Sequence, residues 1–422
     1  MKLKRVFCCI VMIGAMLIFG SLAAMAANME SPVEKFKDID TKAWYIDDVE
    51  YVYENGIMNG MSDTMFGPNL AVTRGQFVTM LGRLVEIDDS SLESPQNTIF
   101  SDVKPTSYYA SHIAWATEYG IVNGMSSTTF APEQKVTREQ MATMMARFSK
   151  VFQIYIPTEA DTAFADDAAI SKYAKEAVYG LKNIGILDGV GKNIFDPKGA
   201  TTRAAAAKVM HYYMEYEPAD TAVVSIEKFT LGQGYILEPT VVPLNNEATA
   251  DSVLRAAAKE VGIDLKFHEK SGYLTFVKDE CTAPLKIPDF IVDEMAKAEV
   301  TVDNRADDAW LGEYDYTAQA GWLYWHNNAT ASTTANQCAV SDGDVVRFQF
   351  SISGWGADLG RSDAWTVAYR ESANKDELMK AVAWANDTQS EAYANALKVL
   401  TNIESSQEAV DAALAAMPLL AD

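Results

Sequence analysis

Three arginines, Arg74, Arg138 and Arg203, recur at nearly equal spacing, and each directly follows a threonine. Thr73 and Thr137 are typical helix N-cap residues, so the arginines are predicted to begin helices. A guanidinium offers two parallel donors to a carboxylate, and the free N–H groups of a helix N-terminus add positive potential. The pattern therefore predicts sites that bind a carboxylate.

Aromatic residues and glycines recur with the same spacing upstream of the first two arginines. They are Trp44, Tyr45, Gly60, Tyr108, Tyr109 and Gly124. An aromatic face can cover the apolar face of a sugar ring, and a glycine lets the backbone approach a sugar closely. These residues are therefore candidates for contacts with a glycan.

Each of these features also has a purely structural interpretation. The threonines could serve only as helix caps, the arginines could pair with nearby carboxylates, and the aromatic residues could belong to the core. These alternatives stay open at the level of the sequence.

The candidate residues belong to a repeat of sixty-four residues, which occurs three times. The copies open with "FKDID", "FSDVK" and "FADDA", pass through "FGP", "FAP" and "FDP", and reach "VTRGQ", "VTREQ" and "TTRAA". "GIMNGMS" at 56–62 returns as "GIVNGMS" at 120–126, where the first glycine suits a helix C-terminus. Thr73 with Gln76, and Thr137 with Gln140, are spaced as capping boxes. Each copy is thus predicted to form helix, turn, loop and helix.

At these motifs the chain resembles the S-layer homology family, over residues 35–86, 99–150 and 163–215. The resemblance implies an all-α pseudo-threefold trimer of modules, whose grooves bind secondary cell-wall polysaccharide that often carries a pyruvate ketal. The glycan-binding residues that it implies are Trp44, Gly60, Thr73, Arg74, Tyr108, Gly124, Thr137, Arg138 and Arg203.

The third copy departs from the pattern. It reads "GILDGVG" in place of "GIMNGMS", and aligning Tyr173 with Tyr45 places Lys172 at the position of Trp44 and Tyr108. Ala205 stands where the other copies have glutamine. We expect this copy to complete the core and to bind weakly or not at all.

The beginning of the chain has the layout of a secretory signal peptide, residues 1–26, with cations, an apolar stretch at 6–19 and "AMA" before the expected cleavage site. The signal peptide predicts a secreted protein with no membrane span after signal cleavage, and the resemblance to the S-layer homology family implies a location at the cell wall or S-layer surface of a bacterium. The formal charge of −23 argues against nucleic acid as a partner. The 422 residues predict a multidomain protein of two to four domains.

Residues 222–370 predict an α+β domain. "VVSIEKFTL" and "TVVPL" read as strands, "TADSVLRAAAKEVGI" as a capped helix, and "GWLYWHNN" and "DGDVVRFQFSI" as further strands. The last two segments resemble the transcobalamin-like C-terminal domain, which implies a β-grasp-like sheet and a ligand that the sequence does not name. Trp310 and Trp355 are the candidate ligand face, with core packing as the alternative.

Residues 374–422 are alanine-rich and predict a small helical bundle with breaks near Asn386 and Asn402. This tail resembles the FIVAR-type modules of surface proteins, which implies a spacer or an adhesive stalk piece. Cys281 and Cys338 could form one disulfide in an exported chain, or stay free in a reducing habitat.

The inventory of catalytic groups is thin. The four histidines, His112, His211, His268 and His326, are scattered, without an H-E-x-x-H, Cys-x-x-Cys or GxSxG motif. We therefore expect a binding or structural protein rather than an enzyme, and no metal or cofactor. Because carboxylates are plentiful, a wall-anchored enzyme that acts on surface glycans is kept as the alternative.

Overall fold

The computed structural model describes residues 33–85, 99–158, 162–269, 271–280, 283–303, 305, 309–418 and 420. The chain divides into two compact units at Pro218 and Ala219, here named the repeat unit and the C-terminal unit. The predicted signal peptide and Cys281 lie outside the described residues, so cleavage and the Cys281–Cys338 disulfide stay predictions. No helix among the described residues is both long enough and apolar enough to cross a membrane.

The described part of the repeat unit contains six α-helices, two for each copy of the repeat. They are α1 Ile46–Glu54, α2 Arg74–Leu84, α3 Ala110–Glu118, α4 Arg138–Val151, α5 Lys175–Asn183 and α6 Arg203–Glu215. In the third copy, two 3₁₀ turns, Asp167–Ala169 and Lys172–Ala174, precede α5. The predicted order of helix, turn, loop and helix is confirmed in each copy.

The predicted capping boxes are present at α2 and α4. Thr73 Oγ1 accepts a hydrogen bond from the Gln76 N–H at 3.3 Å, and Gln76 Oε1 accepts one from the Thr73 N–H at 3.0 Å. Thr137 and Gln140 make the same pair of bonds. At α6 only the threonine bond exists, because Ala205 has no side-chain amide.

The three copies meet at a closed triangle of backbone hydrogen bonds. The Val72 N–H donates to the Thr201 carbonyl at 2.9 Å, Thr201 donates to Val136 at 3.0 Å, and Val136 donates to Val72 at 2.9 Å. All three side chains are fully buried. Because each copy donates to one neighbour and accepts from the other, the arrangement is cyclic.

The C-terminal unit is α+β, as predicted. Its strands are β1 Thr221–Glu227, β2 Tyr235–Pro243, β3 Leu265–Phe267, β4 Leu274–Lys278, β5 Trp310–Gly312, β6 Gly321–His326, β7 Ala329–Thr330 and β8 Val345–Ser351. The larger sheet has the order β2-β1-β8-β6-β7, in which β1 and β8 are parallel, and the smaller sheet has the order β3-β4-β5.

Helices cover both faces of the larger sheet. The helices of this unit are α7 Ala250–Val261, α8 Asp289–Lys297, α9 Asp376–Ala383, α10 Glu391–Thr401 and α11 Gln407–Ala416. Val253 and Leu254 of α7 share a core with Val224 and Phe348 on one face.

The three C-terminal helices pack on the opposite face of this sheet. Leu378 of α9 shares a core with Val223 and Val345, which alternate along their strands with the residues of the first face. The helix breaks predicted near Asn386 and Asn402 are confirmed. The structure differs from the expectation of a separate tail at 374–422, because burial of this apolar face joins the helices to the domain predicted at 222–370.

Candidate functional site

The three recurrent arginines are buried and reach across to a neighbouring copy of the repeat. Arg74 is 3% exposed; its Nε donates to the Phe130 carbonyl at 3.0 Å and its Nη2 donates to the Asn123 carbonyl at 2.9 Å. The Arg74 guanidinium also lies 4.5 Å from the centroid of the Phe130 ring. One side chain of the first copy thus holds two turns of the second.

The same contacts recur around the ring. Arg138 donates through Nε to the Phe195 carbonyl at 2.7 Å, and through Nη2 to the Asp188 carbonyl. Arg203 closes the cycle, with bonds to the Phe66 carbonyl at 2.8 Å and the Asn59 carbonyl at 2.6 Å. The second copy of the repeat therefore binds the third copy through Arg138, and the third copy binds the first through Arg203.

These partners differ from the carboxylates that the structural alternative proposed. Backbone carbonyls accept the bonds of Nε and Nη2, so each guanidinium joins two copies in this structure. None of the hydrogen bonds described above uses Nη1. A ligand carboxylate at Nη1 is compatible with this geometry, and that role stays a prediction.

Burial lowers the pKa of all three guanidinium groups, that of Arg203 to about 10. Asp102 and then Tyr173 oppose this shift at Arg74, and Tyr108 and then Asp38 oppose it at Arg203. The opposing tyrosine belongs in each case to the copy that supplies neither the arginine nor its carbonyl partners. Residues from all three copies therefore surround Arg74 and Arg203.

The aspartate of each "F-x-D" opening fixes the loop that the arginines bind. Asp38 accepts hydrogen bonds from the Phe66 and Gly67 N–H groups at 2.8 and 2.7 Å. Asp102 and Asp166 make the equivalent bonds in the other copies. The sequence contained the signal, a carboxylate at the same place in every copy, but its role was not predicted.

The aromatic candidates divide into exposed and buried members. Trp44 is 65% exposed and Tyr108 is 54% exposed, whereas their neighbours Tyr45 and Tyr109 are buried at 7%. Core packing is therefore correct for Tyr45 and Tyr109, and a surface position for Trp44 and Tyr108.

The third copy presents Tyr173 at the same position, which corrects the alignment with Lys172. Tyr173 is 57% exposed, like Trp44 and Tyr108, and the following Ala174 is buried like Tyr45. The inserted residue thus precedes Tyr173 rather than following it. Each of the three copies exposes one aromatic ring just before its first helix.

The third copy is also bound by a buried carboxylate of the second copy, which the sequence did not reveal as a site residue. Glu139 of α4 accepts hydrogen bonds from the Ser171 N–H at 3.1 Å and the Tyr173 hydroxyl at 3.0 Å, and it pairs with Lys198. Burial and the bond to Glu139 raise the pKa of Tyr173 to about 12. At the position of Glu139, the first and third copies have Gly75 and Ala204, which carry no carboxylate. The hydrogen bond that holds Tyr173 therefore has no equivalent among the described contacts of Trp44.

The two candidate glycines have a packing role. A Cβ added at Gly60 would lie 2.4 Å from Phe36, and one at Gly124 would lie 2.4 Å from Phe100. A side chain at either position would therefore collide with the phenylalanine that opens the repeat. Contact of these glycines with a sugar stays a prediction.

In the C-terminal unit, the two tryptophans of the candidate ligand face occupy different environments. Trp355 is 55% exposed and has a left-handed backbone with φ of 53°. Trp310 begins β5, is half-buried, and has the Lys266 ammonium 3.5 Å from its ring. Trp355 lies in the short segment that follows β8, whereas Trp310 pairs with Lys278 in the smaller sheet.

Comparison with known proteins identifies the repeat. The family model of the S-layer homology domain matches residues 35–78, 99–142 and 163–207. The chain is 35% identical over 181 residues to an amylopullulanase of Thermoanaerobacterium thermosulfurigenes, which is 43% of this chain and 9% of that protein.

S-layer proteins are also similar to this chain. It is 27% identical over 293 residues to an S-layer protein of Bacillus thuringiensis subsp. finitimus, covering 66% of this chain and 34% of that protein. It is 30% identical over 190 residues to S-layer protein sap of Bacillus anthracis, covering 44% of this chain and 22% of that protein. The chain thus spans 9–34% of the length of these three relatives.

These matches show three S-layer homology domains and a secreted protein at the cell wall or S-layer surface of a bacterium. The relatives that are named as enzymes share only the repeat region with this chain. Their names therefore describe parts that the match does not include.

Proposed function

We propose that the repeat unit anchors an exported protein non-covalently to secondary cell-wall polysaccharide, and that the C-terminal unit is displayed as a ligand-binding or structural domain. The observation that carries this proposal is the cyclic arrangement of three S-layer homology domains, each with one exposed ring, Trp44, Tyr108 or Tyr173. A polymer with repeating sugars suits a surface with repeated contacts, because several weak sites on one molecule raise its avidity.

A pseudo-threefold trimer of helical modules is the interpretation that we favour for the repeat unit. The triangle of Val72, Val136 and Thr201 and the three arginine contacts support it, since each contact has an equivalent one copy further along. Grooves in such a trimer run between copies, where the arginines lie.

The proposed chemistry of each groove combines an aromatic surface with a guanidinium. A sugar ring would stack on an exposed aromatic residue, and a pyruvate ketal carboxylate would meet Nη1 of Arg74, Arg138 or Arg203. Thr73 and Thr137, together with Gly60 and Gly124, would shape the adjoining backbone. We propose the weakest binding for the groove with Tyr173, whose hydroxyl is bonded to Glu139.

The C-terminal unit supports a β-grasp-like assignment. Its first and last long strands, β1 and β8, are parallel neighbours at the centre of the sheet, and β2 and β6 flank them in antiparallel orientation. The exposed Trp355 supports the ligand face that was predicted for the transcobalamin-like domain. Helices α9–α11 remain candidates for a FIVAR-like module, attached to the sheet rather than extended from it.

We propose that the chain is not itself an enzyme, with a wall-anchored enzyme acting on surface glycans as the alternative. Among the described residues, no group of three His, Cys, Asp or Glu side chains could hold a metal ion. Zymography of the full chain on purified walls and wall polysaccharide separates the two: a cleared band would establish the enzyme.

Cosedimentation of the full chain with purified cell walls tests the anchor. We expect Trp44→Ala with Tyr108→Ala to weaken binding about tenfold to a hundredfold, since stacking on each ring is lost. Trp365→Ala is the matched control, because Trp365 is 94% exposed in the C-terminal unit. Equal binding by the two proteins would contradict the proposal.

The wall itself provides the second arm of this experiment. Walls from which the secondary polysaccharide has been extracted should lose the protein, and walls that lack pyruvate should bind it about tenfold more weakly. Normal binding to pyruvate-free walls would exclude the carboxylate as a target, while leaving the polysaccharide as the ligand.

A further inference from the structure

The C-terminal unit contains a cavity of about 360 Å³ between the larger sheet, the loop after β8 and the start of α9. Among the residues that line it are Phe229, Trp325, Arg347, Gln349, Ser362 and Lys375. A volume of this size suits a small organic ligand.

The floor of the cavity carries a buried ion pair. Arg347 of β8 is 6% exposed, and it donates from Nε and Nη2 to the two carboxylate oxygens of Glu227 at 2.9 and 2.7 Å. Arg347 Nη2 also donates to Gln349 Oε1 at 3.3 Å. These bonds use neither Arg347 Nη1 nor the amide nitrogen of Gln349, so donors are the groups left available on this floor.

Lys375 adds a third donor at the side of the cavity. Its Nζ is buried and donates to the carbonyls of Leu400 and Asn402, both at 2.8 Å. Burial and the charge of Arg347 lower the pKa of Lys375 to about 7, against the opposing charge of Glu227.

Two further carboxyl groups belong to residues close to Lys375 in the chain. Glu371 lines the cavity from an exposed position, and Asp376, whose pKa is raised by burial, follows Lys375 in the chain. Glu227 is occupied by Arg347, and Glu371 lies at the surface. Asp376 is not among the residues that line the cavity, although its charge acts on Arg347, so the buried polar groups of the lining are mainly the donors of Arg347, Gln349 and Lys375.

Two aromatic side chains also line the cavity, beside polar residues such as Asn328 and Ser372. Trp325 and Phe229 are buried at 6% and 3%, and both line the cavity. Aromatic rings at these positions favour a planar apolar ligand body.

We propose that this cavity binds a small organic carboxylate with a flat apolar body, its carboxylate against Arg347 Nη1 and the Gln349 amide. Charge-assisted hydrogen bonds to a guanidinium give such a ligand its selectivity over neutral analogues. The site is independent of wall anchoring and differs from the exposed surface at Trp355.

Titration calorimetry of the full chain with benzoate at pH 6 tests the proposal, and benzyl alcohol serves as the neutral analogue. We expect one benzoate to bind per chain, about tenfold or more tightly than the alcohol. Absence of benzoate binding, or equal affinity for the alcohol, would overturn it.

Three variants test where benzoate binds. Ala368→Trp fills the cavity from its lining and should abolish binding, whereas Ala394→Trp, on the exposed side of α10, should leave it unchanged. Gln349→Leu removes one donor and should weaken binding about tenfold. Unchanged affinity in Ala368→Trp would place the benzoate elsewhere and refute the assignment.

The pH dependence identifies the part played by Lys375. A bound carboxylate favours the protonated amine, so binding takes up a proton and affinity falls several-fold between pH 6 and pH 8. Lys375→Met, with folding checked by circular dichroism, should bind weakly at both values. Where that variant does not fold, Gln349→Leu at the two pH values must show the same several-fold fall. A flat profile in the wild type would contradict this site.

Discussion

Both units of this protein bury arginines, but they satisfy them differently. In the repeat unit, Arg74, Arg138 and Arg203 donate to backbone carbonyls, and burial lowers their pKa. In the C-terminal unit, Glu227 raises the pKa of Arg347 although burial opposes it. In the repeat unit the hydrogen-bond partners are thus uncharged, and the carboxylates of Asp102, Asp196 and Asp38 act on the guanidinium groups through their charge, whereas in the C-terminal unit the hydrogen-bond partner is itself an ion.

The difference indicates what each unit can recognise. In the repeat unit, the proposed function assigns the three guanidinium groups to an acidic glycan. At Arg347 the charge is already compensated, so recognition depends on the donors that remain and on the shape of the cavity. Changes in either unit should therefore have different costs.

The largest effect is expected when the buried pair is broken. Glu227→Leu leaves Arg347 buried without its partner and should lower the free energy of unfolding of the C-terminal unit by about 3–5 kcal/mol. Urea unfolding followed by tryptophan fluorescence measures this. Glu227→Leu with Arg347→Met should recover most of the loss, and a single variant that costs under about 1 kcal/mol would show that the pair is not desolvated.

The next largest effect concerns the arginine contacts between copies. Arg138→Lys loses the fixed planar fork through which Nε and Nη2 reach the Phe195 and Asp188 carbonyls, so the repeat unit should lose about 1.5–3 kcal/mol of unfolding free energy. Arg255→Lys is the control, since Arg255 forms an exposed pair with Asp251 and should cost under about 0.5 kcal/mol. Similar costs for both variants would indicate that the contacts between copies are unimportant.

A smaller effect is expected at the triangle of backbone bonds. Thr201 is fully buried, and in the described part of the chain its hydroxyl has no hydrogen-bond partner. Thr201→Val should therefore stabilise the repeat unit by about 1–2 kcal/mol, because an unsatisfied hydroxyl is replaced by a methyl group. The reciprocal Val136→Thr should destabilise it by a similar amount; thermal unfolding of the two variants measures both shifts, and a loss of stability in Thr201→Val would contradict this account.

The smallest effects sharpen the comparison among the three copies. Thr73→Ala removes a cap and should cost about 1 kcal/mol. Ala205→Gln supplies the missing half of the capping box at α6 and should add a few tenths of a kcal/mol, about the value of one weak local bond. Chemical unfolding in parallel measures these differences, and a destabilised Ala205→Gln variant would mean that the site cannot accept the amide.

The local features of the repeat were predictable from the sequence. Thr73 and Gln76 lie three residues apart, so both halves of the capping box are visible in one short segment. Gly56 was likewise predictable, since its φ of +71° suits the helix C-terminus that the pattern indicated.

Partners of the arginines were not predictable. Arg74 binds carbonyls that lie 49 and 56 residues away, and every residue has a carbonyl, so no side-chain type marks the acceptor. The alignment of Tyr173 with Tyr45 was wrong for a related reason. Two adjacent positions could hold the aromatic residue, and only burial of Ala174 distinguishes the exposed position from the buried one.

In the C-terminal unit, alternation predicted the strands but not the partners of their polar residues. Glu227 and Arg347 are 120 residues apart, and they meet only because β1 and β8 are parallel neighbours. Packing of α9–α11 on this sheet was missed because an alanine-rich helix fits a sheet, another helix or a spacer equally well by pattern.

The contact between Arg203 and Asn59 spans 144 residues and closes the ring of repeats. When the chain emerges from its N-terminus, Asn59 appears well before Arg203. The first copy therefore lacks the hydrogen bonds from Arg203 to its Asn59 and Phe66 carbonyls until the third copy has emerged. Such long-range closure slows folding, because the entropy of a large loop is lost before the contact forms. The repeat unit therefore cannot complete its fold until its last helix, α6, has emerged, and until then the chain can still pass in an extended form through a narrow channel.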